Sequence, residues 1–220
     1  MIRRPTLLGL FIALIGLPIA AAILHTVFTH HSEPLIPKIT LGLLVEWLLF
    51  ITLIIIIRAE KLTLSSIGVK PFKLRDLSLG LCFGILLFIL FAIILTLLPK
   101  FGLSITKSQA QAKILMASPF LLRLAIVITA GVVEETFYRG YAIERLGQIF
   151  GNIRLGALLT LIAFTAVHAI SWGLAQLIPI SIAAAALTLI YLWRRNLILN
   201  IIAHIVTDGI AFLLLPLLHH

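Results

Sequence analysis

Five ionisable residues stand in or at the end of long apolar runs: Glu134, Glu135, His168, His204 and Asp208. Such a group inside a membrane helix costs roughly 3 kcal/mol on insertion scales, so each needs a partner or a task. Glu134 and Glu135 close the apolar run Ala125 to Val133, and Arg139 follows Glu135 by four residues. On a helix that interval puts Glu135 and Arg139 on one face, where they can pair. Glu134 then points about 100° away and is left for other work. His168 has Phe164 one turn before it on its own face, and His204 and Asp208 repeat the four-residue interval in the last apolar run. Three separate helices thus each offer a chemically competent group. A carboxylate and two imidazoles can hold a water, remove its proton and stabilise the oxyanion formed when that water attacks a carbonyl.

The same residues have other uses. His, His and Glu are proper zinc ligands with water in the fourth position, although no HExxH helix supplies two imidazoles and a base from one segment. No cofactor is expected, with zinc or another divalent metal left open. Taken alone, each histidine is more often a hydrogen-bonded packing residue, and Glu135 with Arg139 can be a purely structural pair. The coincidence of three helices is what favours chemistry. Glu46 is a further acid in an apolar run, read as structural; Cys82 reads as a packed small hydrophobe. His25, His30 and His31 read as interfacial, and His219 and His220 carry no weight.

The elements that position these groups must be membrane helices. Of 220 residues 61% are hydrophobic and 11% charged, with mean hydropathy +1.20, which leaves too few polar side chains to coat a water-soluble core. The formal charge of +9 resides at the ends of apolar runs without interleaved aromatics, which argues for membrane-surface anchors and against nucleic acid. Seven apolar stretches can be drawn: Leu7 to Phe28, Ile39 to Ile57, Leu77 to Leu98, Phe120 to Tyr138 or beyond, Leu155 to Ile170, Leu174 to Trp193 and Leu197 to Leu218. They are apolar on all sides, as helices and not barrel strands would be. The segment Ser104 to Ser118 adds a short interfacial helix. The expected fold is an all-α polytopic transmembrane helical bundle of about seven to eight helices, one membrane domain over residues 1–220. The basic start ahead of the first run reads as a retained span, not a cleaved signal.

With the N-terminus inside, twelve basic residues fall on one side, Arg139 and Arg145 among them, and five on the other: Lys38, Lys100, Lys107, Lys113 and Arg123. That asymmetry favours N-terminus in and C-terminus out. A turn near Gly151-Asn152 would hold Glu134 and His168 at matching depth, each about 25 Å from the turn. The sequence alone does not fix the side to which the site opens.

The segment Glu134-Glu135-Thr136-Phe137-Tyr138-Arg139-Gly140, then Phe164 to His168, then His204 to Asp208, resembles the CPBP family, the CaaX proteases and bacteriocin-processing enzymes also called Abi. The family's EExxxR, FxxxH and Hxxx(N/D) motifs are all present in order, within a portion from about 119 to 220. The resemblance implies a glutamic-type intramembrane endopeptidase. Glu134 would be the general base, His168 would hold or polarise the water, His204 and Asp208 would serve the oxyanion, and Glu135 and Arg139 would brace the site, with Phe164 supporting. The third motif often ends in Asn, so Asp208 would donate a hydrogen bond only if protonated and would otherwise orient His204. The implied partners are a membrane-anchored peptide or protein substrate, prenylated CaaX-type or bacteriocin-type, and the lipid bilayer. The expected location is a bacterial plasma membrane. A non-proteolytic scaffold or bacteriocin self-immunity protein is the alternative, and a proton-relay transporter a third, disfavoured because no inverted repeat is visible.

Overall fold

In the computed structural model, residues 3–29 and 35–218 are described, and within them all regular structure is helical. His30, His31, His219 and His220 lie outside the described residues, as does the side chain of His25. Eight helices follow one another: α1 (residues 4–29), α2 (Leu35–Ala59), α3 (Leu74–Leu97), α4 (Thr106–Met116), α5 (residues 120–150), α6 (Ile153–Trp172), α7 (Leu177–Arg194) and α8 (residues 197–218). Five of them, α1, α2, α3, α7 and α8, contain stretches long and apolar enough to cross a membrane. The other two apolar stretches seen in the sequence fall short for separate reasons. In α6 the apolar portion, Ile153–Ala169, is shorter, and α5 carries Glu134, Glu135, Arg139, Glu144 and Arg145 in its second half. The chain is an integral membrane protein. Leu48, Ile55, Leu86 and Leu189 are more than half exposed along α2, α3 and α7, the reverse of a soluble surface, and lipid is the solvent that makes such faces stable.

Local sequence sets the helix ends. Pro5 stands in the first turn of α1, where its missing N–H costs nothing. Asn152 and Asn196 cap α6 and α8, each side chain accepting from two backbone N–H groups of the following turn. Between α5 and α6 the chain reverses at Gly151, whose φ of 63° suits a residue without a Cβ. The turn expected at Gly151-Asn152 is therefore present, and α5 and α6 run antiparallel from it. The short helix expected within Ser104 to Ser118 is α4.

One feature of α5 is not expected from the sequence. Its centre, Ala130–Ala142, is π-helical over 13 residues, with i→i+5 hydrogen bonding in place of i→i+4. Such widenings are frequent at functional sites, and this one carries Glu134, Glu135 and Arg139.

The two ends of the bundle differ. At the end holding the α5–α6 turn, Glu60 is buried and accepts hydrogen bonds from Thr6 Oγ1 at 2.7 Å, Tyr141 Oη at 2.9 Å and Arg145 Nε at 3.0 Å. Arg145 Nη2 completes the ion pair at 2.9 Å. Arg145 and Arg139, which the sequence leaves between a loop and a long helix, both lie on α5 and are buried inside the bundle. Nearby, Glu144 accepts from Tyr191 Oη at 2.6 Å and pairs with Arg195. These contacts fasten α1, α2, α5, α7 and the start of α8 to one another.

Candidate active site

Glu135 is fully buried and is held from three directions. Arg139 Nη1 donates to its Oε1 at 2.7 Å, His204 Nδ1 lies 2.8 Å from the same oxygen, and Asn200 Nδ2 donates to Oε2 at 3.2 Å. The pairing of Glu135 with Arg139 inferred from their spacing is present. Its extension to α8 through His204 and Asn200 is not legible in the sequence. Arg139 Nη2 also donates to the Ala184 carbonyl, and Asn200 Nδ2 to the Leu187 carbonyl, so α5, α7 and α8 are tied at one level. A buried carboxylate needs such company, because an uncompensated charge in this environment would cost several kcal/mol.

Since a carboxylate paired to arginine can only accept, His204 carries its proton on Nδ1 and turns Nε2 the other way. Asp208 Oδ2 lies 3.5 Å from that Nε2, within ion-pair range and longer than a good hydrogen bond. The imidazole thus sits between two carboxylates, Glu135 on its buried side and Asp208 on its open side.

His168 is oriented by its own helix. Its Nδ1 donates to the Phe164 carbonyl at 2.8 Å, which in the neutral ring leaves Nε2 as an acceptor. Phe164 links this histidine to the rest of the site. The Arg139 guanidinium lies over its ring at 4.4 Å, the Tyr138 ring meets it edge-on at 5.0 Å, and the His168 ring is 4.5 Å away. Each contact of this kind adds roughly 0.5–1.5 kcal/mol and, more to the point, a fixed geometry.

Glu134 behaves differently from its neighbour. Among the described residues it has no hydrogen bond or ion pair to another side chain; its charge couples to Glu46 on α2 and to Tyr138. It lines a cavity of about 430 Å³ together with Phe164, His168, His204, Thr207 and Asp208. That volume is in the range of small-ligand sites. All four residues expected to do chemistry face this one space, whereas Glu135 and Arg139 lie beneath it. Glu46 is not among the lining residues, and the sequence-based structural reading of it stands as a reading only. Among the described residues, no three His, Cys, Asp or Glu side chains are grouped so as to hold a metal ion.

Asn200 is the residue that sequence reasoning missed. A signal existed: Asn200, His204 and Asp208 fall at successive four-residue intervals on one face of an apolar helix. A polar amide in a membrane helix is, however, common enough as packing glue that the interval alone does not single it out.

Two carboxylates and two imidazoles turned into one cavity of a helical membrane bundle are groups able to exchange protons with a bound water or substrate. The family described as type II CAAX prenyl endopeptidase, Rce1-like, matches residues 116–210, the stretch that holds Glu134, Glu135, Arg139, Phe164, His168, His204 and Asp208. The resemblance to CPBP enzymes read from the three motifs is borne out by this match. The matched family is one of CAAX-type membrane peptidases. No curated protein and no solved structure matches the chain.

Proposed function

We propose that the protein is a glutamic-type intramembrane endopeptidase of a bacterial plasma membrane, acting on a peptide held at the bilayer by an apolar or lipid anchor. The observation that supports this most is the convergence of Glu134, His168, His204 and Asp208 on one cavity from three helices.

In the reaction Glu134 and the free Nε2 of His168 hold a water. Glu134 takes a proton from it as the oxygen attacks the carbonyl carbon, and the peptide carbonyl becomes an oxyanion. To stabilise that charge the His204 ring must carry protons on both nitrogens, and Glu135 and Asp208 on either side supply the compensating negative charge. In this role Asp208 accepts and orients; it need not donate. As the tetrahedral centre collapses the C–N bond breaks, and the proton held by Glu134 passes to the leaving nitrogen. Glu135, Arg139 and Asn200 contribute by fixing the His204 ring, and Phe164 by fixing His168.

Cleavage of a lipid-anchored peptide by the detergent-purified protein, followed by mass spectrometry of the products, tests the reading. His168→Ala should lower kcat by roughly 10²–10⁴, the usual contribution of one acid–base group, while the protein stays folded. Undiminished turnover in that variant would contradict the assignment. A scaffold or self-immunity role would instead show as a cellular phenotype that survives His168→Ala unchanged.

A further inference from the structure

The cavity is bounded differently at its two ends. Toward the α5–α6 turn its floor is solid: Glu135, Phe137, Arg139, Tyr141, Tyr191, Leu199 and Asn200 are all within one per cent of complete burial. In the opposite direction the lining continues past His168 and Asp208 to Trp172 and Gln176 at the α6–α7 connection and to Gln109, Leu115 and Met116 of α4. Gln176 Oε1 is buried there without a hydrogen-bond partner, as an acceptor awaiting a peptide N–H would be. Gln109 is exposed and Leu115 and Met116 are half-buried, so the α4 end is the side from which water and peptide would reach Glu134, and the packed floor bars the other.

The same two ends differ in charge. Arg139 and Arg145 are buried inside the bundle and drop out of the tally. Ten basic residues remain at the closed end: Arg3, Arg4, Arg58, Lys61, Lys70, Lys73, Arg75, Arg154, Arg194 and Arg195. The open end keeps four, Lys38, Lys100, Lys107 and Lys113, because Arg123 is buried there and donates to the Phe212 carbonyl. Lysine and arginine near span ends accumulate on the cytoplasmic side. The closed end is thus cytoplasmic.

From these two asymmetries we propose that the cavity opens to the extracytoplasmic side, so that its substrates are peptides presented at the outer leaflet, anchored by an apolar segment and approaching beneath α4, and not chains prenylated in the cytosol. The word substrate rests on the peptidase reading above; the sidedness does not.

Two measurements separate them. In a Cys82→Ser background, single cysteines replace Lys113 on α4 or Lys73 between α2 and α3, both exposed. Intact bacterial cells are then treated with a membrane-impermeant maleimide. Lys113→Cys should label in intact cells and Lys73→Cys only after lysis; the opposite pattern, or labelling of both in intact cells, overturns the proposal. Right-side-out vesicles should then cleave an added lipid-anchored peptide confined to the outer leaflet, and inside-out vesicles should not. Cleavage by inside-out vesicles alone also overturns it. Equal cleavage by wild type and Glu134→Gln vesicles would defeat the peptidase reading while leaving the labelling result in force.

Discussion

Glu134 and Glu135 are adjacent and chemically identical, yet one faces a cavity and the other is locked beneath it. The division follows from their partners. Glu135 is saturated by Arg139, His204 and Asn200, and a carboxylate with three donors has little capacity left for a water. Glu134, without such partners among the described residues, keeps its lone pairs for the cavity. Removing Arg139 should therefore act on stability first: Arg139→Met leaves a buried carboxylate short of its countercharge and should cost about 3–5 kcal/mol. Thermal unfolding in detergent would show it as a lowered Tm, and an unchanged Tm would mean that Glu135 is compensated by His204 alone. At this scale the motif spacing in the sequence was informative, because i,i+4 intervals on helices translate directly into shared faces. The contact of His204 with Glu135 was not legible, since two residues 69 positions apart meet only through helix packing.

At the level of elements, α5 and α8 must approach closely for His204 to reach Glu135. Gly131 makes this possible: a Cβ there would lie 2.4 Å from Ile205 Cγ1. Gly131→Val should force the two helices apart at an overpacking cost of about 1–3 kcal/mol, lowering both Tm and kcat, and unaltered values for both would show that the approach is not needed. The ends of the helices, the Gly151 turn and the short helix α4 were legible in the sequence, because capping residues, apolar length and glycine have local physical causes. The π-helical centre of α5 was not. Its i→i+5 hydrogen bonding leaves no signature in apolar spacing or composition.

Across the whole molecule, a closely packed end at the α5–α6 turn supports a hollow opposite end. Glu60 and Arg145 anchor the rigid part, fastening α1, α2 and α5 through Thr6 and Tyr141. Glu60 escaped notice in the sequence because, between Arg58 and Lys61, it reads as an ordinary polar residue at a span end. Arg145→Met would strand the Glu60 carboxylate in a buried site and should destabilise the protein by about 3–5 kcal/mol, yet the fraction that remains folded should cleave substrate with normal KM, since neither residue touches the cavity. A raised KM with unchanged Tm would place this cluster in the site instead of the scaffold. The all-helical membrane architecture was plain from hydropathy, whereas the contrast between the two ends depends on which buried side chains meet across the bundle.

In the proposed mechanism one of the two neighbouring glutamates performs the chemistry and the other holds the site together. The most direct test compares Glu134→Gln with Glu135→Gln in one preparation, measuring Tm and peptide cleavage side by side. Glu134→Gln should keep the wild-type Tm and lose cleavage, while Glu135→Gln should lose thermal stability. Wild-type cleavage by folded Glu134→Gln protein would contradict that mechanism.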